Sequence, residues 1–223
     1  MTTGVRLVVL GKQGAGKGTQ CALLSQRYAV PHISTGDMLR AAVAAGSELG
    51  QQVAEVIASG SLVSDEIITA VVRERLSESD AMTRGFILDG YPRTVRQAEL
   101  LEAIIADRPL DCVLDLEVPT DLVLSRLAGR LVCGDCAAIY STDIPPVQVG
   151  VCDKCGGPVM PRKDDQKAEA IKARLDAYEL ETSPLVAYYT DQGLLEELDG
   201  TQSPDAVFES AKDAISRRQA SKA

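Results

Sequence analysis

Tryptophan is absent from this 223-residue chain, phenylalanine occurs twice, histidine once, and aromatics make up only 4%. A core built without large rings must come from Val, Leu, Ile and Ala. Hydrophobic residues at 45% and charged residues at 25% are the balance of a folded globular protein, so disorder throughout is excluded. No apolar run approaches the roughly 18 residues that a membrane helix requires, which argues against a membrane partner. No basic-then-apolar leader follows Met1, so the cytoplasm is the expected compartment. Basic residues are in deficit, with 23 Lys and Arg against 32 Asp and Glu and a net charge of −9. Nucleic-acid binders draw affinity from displacing counterions on phosphates, and this deficit argues against that class. A phosphate ligand must therefore be held by locally placed cations and backbone N–H groups, which makes each clustered arginine informative.

The length suits one α/β domain with insertions, or two small domains. Apolar runs alternate with helical periodicity, as in a parallel sheet flanked by helices. The runs fall at residues 5–10, 32–34, 86–88, 112–116 and 194–198. Helical spacing is visible over 17–27, in Ile67, Ile68, Val71, Val72 and Leu76, in Leu100, Leu101, Ile104 and Ile105, and in Ile171, Leu175 and Tyr178. Two segments leave this alternation. Residues 36–63 are Ala- and Gly-rich and read as helical, whereas 131–161 hold four Cys and four Pro without helical period. There is no internal repeat. Residues 216–223 carry three cations and are expected to fray.

The first run is followed by Gly11-Lys12-Gln13-Gly14-Ala15-Gly16-Lys17-Gly18-Thr19. Glycines at this spacing let the backbone curl its N–H groups toward phosphate oxygens at a helix start, and Lys17 adds a point charge. Gly18 stands where Ser or Thr is usual. A second string, Asp89-Gly90-Tyr91-Pro92-Arg93, ends another strand. A strand-terminal Asp is where a phosphate-loop enzyme places its magnesium-side carboxylate, although a helix cap is the plainer alternative. Cys133-x-x-Cys136, fifteen residues and Cys152-x-x-Cys155 form a four-thiolate zinc pattern without an open position. Two disulfides are the alternative, disfavoured in a reducing compartment. Cys21 and Cys112 read as small core residues. His32 has no partner at metal-ligand spacing and is expected beneath the site.

Taken in order, these strings resemble the adenylate kinases, which interconvert ATP plus AMP with two ADP. The resemblance covers nearly the whole chain and rests on the phosphate loop, Ile33-Ser34-Thr35-Gly36-Asp37-Met38-Leu39-Arg40, Asp89 to Thr94 with Gln97, Arg126, Arg130, and Arg162 with Asp164 and Asp165. It implies a three-layer α/β P-loop kinase with a parallel sheet. The core would comprise 1–33, 64–130 and 162–223, with an AMP-binding helical insertion at 34–63 and a zinc-bearing lid at 131–161. It implies ATP phosphates wrapped by Gly14, Ala15, Gly16, Lys17, Gly18 and Thr19. Arg126 and Arg130 would reach ATP near the lid, Ile139 and Tyr140 would lie close to its adenine, and Gln202 would contact that base through backbone. Thr35, Arg40, Gly90, Tyr91, Pro92, Arg93 and Gln97 would hold AMP, with Ser61, Leu62 and Val63 along its base. Arg162 and Arg174 would touch AMP and close on the transferring phosphoryl group. Lys17, Arg93, Arg130, Arg162 and Arg174 would thus carry catalysis. Magnesium would enter with ATP and meet Asp89 through water, zinc would be structural on Cys133, Cys136, Cys152 and Cys155, and the protein would act as a monomer.

Arginine suits this chemistry because the transition state is loose and rich in charge, and a planar fork bonds two oxygens at once. Some positions depart from the family pattern. Gln13 replaces the usual Pro and Ser61 a frequent Lys. One extra residue separates Arg162 from Arg174, leaving Lys172 as competitor. Two rival readings stay open: the same fold serving UMP or CMP, and a zinc-ribbon, ATP-regulated nucleic-acid binder.

Overall fold

A computed structural model of the chain describes residues 4–162, 165 and 167–221. Lys163 and Asp164, the latter part of the family string that runs from Arg162 to Asp165, lie outside the described residues. In chain order the elements are β1 (Arg6–Leu10), α1 (Lys17–Tyr28), β2 (His32–Ser34), α2 (Thr35–Ala44), α3 (Glu48–Ser59), α4 (Asp65–Leu76), α5 (Ser79–Arg84), β3 (Phe86–Asp89), α6 (Val95–Ile104) and β4 (Cys112–Glu117). They continue with α7 (Thr120–Ala128), β5 (Arg130–Cys133), β6 (Ile139–Ser141), β7 (Val159–Pro161), α8 (Ala168–Ala177), a π-helical turn (Tyr178–Thr182), α9 (Pro184–Asp191), β8 (Leu195–Asp199) and α10 (Pro204–Ser221).

The five apolar runs become one parallel sheet in the order β2-β3-β1-β4-β8. The central strands β1, β3 and β4 are buried on both faces, which is why they read as continuous apolar runs rather than alternating ones. Leu7, Val9, Ile87, Leu114 and Leu116 face Cys21 and Leu24 of α1 and Val207, Ala211 and Ile215 of α10. Val8, Leu10, Leu88 and Val113 face Val72 of α4, Leu101 of α6, and Leu185 and Tyr189 of α9. The connections leave β1 in opposite directions, so a crevice opens at the carboxyl ends of the central strands. The two phosphate-site strings lie at those ends.

The segment at 36–63 is helical, as expected, and forms α2 and α3. Ser34 caps α2 by accepting from the Asp37 N–H, and Ser47 caps α3 from Gly50 N–H. The cysteine-rich segment forms a separate antiparallel sheet, β6-β5-β7. Its apolar content is small: Cys133, Ala138 and Cys152 with Tyr140 and Val159. Fraying of the C-terminal cations is corrected over 216–221, where α10 continues to Ser221. Arg217 Nη2 lies 2.9 Å, and Arg218 Nε 2.6 Å, from the Glu196 carboxylate on β8, so these two cations are tethered; Lys222 lies outside the described residues. Among the described residues, no helix is long and apolar enough to cross a membrane.

Candidate active site

The crevice is a cavity of about 850 Å³. Its floor is the loop between β1 and α1. Gly14 sits at φ +88°, and a Cβ there would lie 3.1 Å from the Leu127 side chain, so the loop follows this path only with glycine. Lys17 opens α1 and folds back, its Nζ donating to the carbonyls of Gly11 (2.7 Å) and Lys12 (2.9 Å). Burial lowers the Lys17 pKa, and the Asp89 carboxylate pulls it back up.

Asp89 ends β3 facing Lys17. Burial pushes its carboxyl up, but the polar contact with the His32 ring, with Lys17 and Arg93 nearby, outweighs burial and holds it below its ordinary value. His32 Nε2 lies 3.5 Å from Asp89 Oδ2. His32 therefore sits beneath the site as expected, but the expectation that it lacks a partner is corrected. It pairs in register with Ile87, two residues before Asp89, which puts both side chains on one face of the sheet.

Gly90 follows at φ +80°, where a Cβ would meet Thr35 Oγ1 at 2.9 Å and the Arg93 guanidinium at 3.2 Å. Thr35 Oγ1 donates to the Asp89 carbonyl, and Arg93 Nε to that of Gly90. Burial lowers the Arg93 pKa. Arg40 lies over Gly36, ion-paired to Asp37. Gln97 is buried: its Oε1 accepts from the Arg93 N–H and its Nε2 donates to Asp65 Oδ1, both at 2.7 Å. One donor and one acceptor site of that amide remain for a ligand. Asp65, which only the fold brings to Gln97, escaped the sequence reading. Ser61, Leu62, Val63 and Pro92 line the cavity. The Tyr91 side chain, expected at AMP, does not line it. Its ring is 1% exposed, and its hydroxyl bonds Thr69 Oγ1 and the Gln97 carbonyl. Past the end of β3 the turn at Gly90, at φ +80°, breaks the strand alternation and carries Tyr91 into the core beside Leu88 and Leu101, while Gly90, Pro92 and Arg93 line the crevice.

The opposite wall gathers around Asp165, which is almost fully buried. Arg130 grips it with Nε at 2.6 Å and Nη2 at 2.7 Å. Gln13 Nε2 donates to it at 2.7 Å while Gln13 Oε1 accepts from Arg174 at 3.2 Å. The residue that departs from the family's Pro thus ties the phosphate loop to two arginines. Arg162 and Arg174 line the cavity, whereas Lys172 is exposed and outside it. Arg126 donates to the Ala15 and Gly200 carbonyls, and Gln202 Nε2 to Asp199. Ala15, Gly16, Gly18 and Thr19 complete the floor, and Ile139 and Tyr140 the roof. Ile139 Cδ1 comes within 2.9 Å of where a Gly18 side chain would begin, so the small sheet rests directly on the loop.

In the small sheet the Sγ atoms of Cys133, Cys136, Cys152 and Cys155 lie within 4.8 Å of one another. Cys133–Cys155 and Cys136–Cys152 are each 3.5 Å apart. Tetrahedral zinc–sulfur bonds of about 2.3 Å set sulfurs ~3.8 Å apart, so the cluster fits zinc. The Tyr140 hydroxyl and the Lys154 N–H hold the Cys152 thiol down at about 6. The Tyr140 hydroxyl lies 3.3 Å from Cys152 Sγ and accepts from Asp153 N–H, so this residue serves the cysteine turn as well as the cavity.

Residues 9–194 match a family model described as "Adenylate kinase". The chain is 48% identical over 216 residues to an adenylate kinase of Moorella thermoacetica, covering 96% of this chain and 99% of that protein. It is 47% identical over 209 residues to one from Thermodesulfovibrio yellowstonii (92% and 96%). To one from Methanosarcina barkeri it is 46% identical over 215 residues (96% and 99%).

Proposed function

The chain belongs to the adenylate kinase family and transfers a phosphoryl group reversibly from ATP to AMP, giving two ADP; we propose that the crevice above the central strands is where it does so. The observation that carries this reading is the convergence of Lys17, Arg93, Arg130, Arg162 and Arg174 on one cavity of an acidic protein. They come from distant segments, and fixed cations around a loose transition state are what phosphoryl transfer needs.

In this reading the N–H groups from Gly14 to Thr19, with Lys17, hold the ATP phosphates. Thr35, Arg40 and Arg93 hold the AMP phosphate, and the free donor and acceptor of Gln97 meet the adenine edge. Residues 34–63 form the AMP-binding insertion, residues 131–161 the lid, and the remainder the core. Arg130, Arg162 and Arg174 surround the transferring group. Arg130 and Arg174 are held in place by Asp165 and Gln13, so little reorganisation remains at the moment of reaction. No general base is required, because the AMP phosphate is already ionised. Asp89, kept ionised by His32, Lys17 and Arg93, suits a hard cation and would hold the water shell of magnesium, which neutralises phosphate charge when bound with ATP. The small sheet over Gly18 excludes water, a closure for which adenylate kinase lids are a standard example. Zinc on the four cysteines is structural, one chain supplies every side chain used, and the enzyme works as a cytoplasmic monomer.

The test is a coupled assay across AMP, GMP, CMP and UMP. AMP should exceed each of the others by about 100-fold or more in kcat/KM, the discrimination that unpaired buried polar groups impose. Equal turnover of a pyrimidine monophosphate would refute the assignment of Gln97.

A further inference from the structure

A second cluster of metal-ligating side chains lies beneath the phosphate loop. Cys21, one turn after Lys17 on α1, points at the sheet face that carries His32 and Asp89. One ligand atom from each lies within 4.8 Å of the other two. Cys21 is fully buried, while His32 and Asp89 reach the cavity wall. The 3.5 Å His32–Asp89 contact is not a well-formed hydrogen bond among the described residues, so with the ring proton on Nδ1 the buried Nε2 has a lone pair to offer.

We propose that Cys21, His32 and Asp89 form a site for one thiophilic divalent cation, such as zinc or cadmium, and that filling it stops catalysis. The donor set is one sulfur, one imidazole nitrogen and one carboxylate oxygen. Borderline-soft ions favour that mixture, whereas magnesium demands an octahedron of oxygens. Three protein ligands leave a fourth position toward the cavity for water or a phosphate oxygen. Charge balances as well. Binding breaks the Cys21 S–H bond, the proton leaves to solvent, and the thiolate and the Asp89 carboxylate cancel the dication. The filled site is then neutral, which removes most of the penalty on burying its members. Entry is from the cavity, past His32 and Asp89.

The inhibitory half rests on the proposed function. A cation on Asp89 withdraws that carboxylate from the magnesium shell and cancels the negative charge that faces Lys17, disturbing the phosphate cradle. The metal-binding half stands without it.

The test uses the full chain with its lid cysteines loaded with zinc, dialysed against cadmium, with total zinc plus cadmium counted per chain. Wild type should hold about one metal more than Cys21→Ala, and losing a ligand should weaken that extra binding at least about 100-fold. Thiolate-to-cadmium absorption should show the same difference. His32→Asn, which leaves the packed thiol intact, should lose the extra metal too. Cadmium should lower wild-type turnover at least tenfold and that of Cys21→Ala less than twofold, with basal activity of the alanine variant retained. Equal metal content in wild type and Cys21→Ala, or full binding by His32→Asn, overturns the site. Extra metal with undiminished turnover overturns the inhibition alone, and thereby separates failure of the assigned Asp89 role from failure of the site.

Discussion

Replacing Asp115 with asparagine should flatten the pH dependence of stability. Asp115 lies mid-sheet on β4, 2% exposed, and its Oδ1 has no hydrogen-bond partner among the described residues. Burial raises its pKa to about 6, Glu117 and the register partner Glu197 add to the rise, and Lys17 opposes it. In the unfolded chain the group titrates near 3.8. Between those values the folded state binds more protons than the unfolded one, so stability falls as pH rises through the window. The full loss is about 3 kcal/mol above pH ~7, of which roughly half is lost between pH ~5 and ~7.5. Asparagine has similar volume and does not titrate, so its own cost or benefit is a constant offset. Urea unfolding of both proteins at the two pH values checks this: the difference should shift by about 1.5 kcal/mol in favour of the variant at the higher pH. Parallel stability profiles would refute the assignment of a buried, strained carboxylate at Asp115.

Lys17→Ala and Arg93→Ala should each lose about 100-fold or more in turnover with little change in melting, since both cations line a crevice. Gln13→Ala should cost about tenfold in kcat, because Arg174 and Asp165 lose their common tether and a misplaced cation is penalised steeply. A single-turnover measurement would check it. Chelation or Cys133→Ser should lower melting and expose the 131–161 segment to protease first, as four-thiolate zinc supplies on the order of 10 kcal/mol to so small a core. Circular dichroism should show the parallel sheet intact at room temperature.

The strands and the two phosphate-site strings were legible because their signals are local. Apolar runs mark strands buried on both faces, and glycine spacing marks a loop that must curl. What stayed hidden is the tertiary pairing of polar side chains. Nothing near Gln13 announces Asp165, 152 residues away, and nothing near Gln97 announces Asp65. The Cys21, His32 and Asp89 juxtaposition needs the register of β2 on β3, which composition does not reveal. The Tyr91 side chain turns inward because the left-handed Gly90 after β3 breaks the strand alternation, which a motif marking a stretch of backbone does not announce. Helices α5, α7 and α9 left too short a period to stand out.

The tethered C-terminus also bears on solubility. An open sheet has two edges whose unpaired backbone groups invite pairing with another chain. One edge, β2, is only three residues long. The other, β8, carries Glu196 and Glu197, and Arg218 donates to the Leu195 carbonyl at 2.8 Å while also reaching that of Gly193. The last turns of α10 therefore act as a guard on an edge strand. Removing them would leave the catalytic crevice untouched yet uncover the row of groups through which copies of the chain could stack.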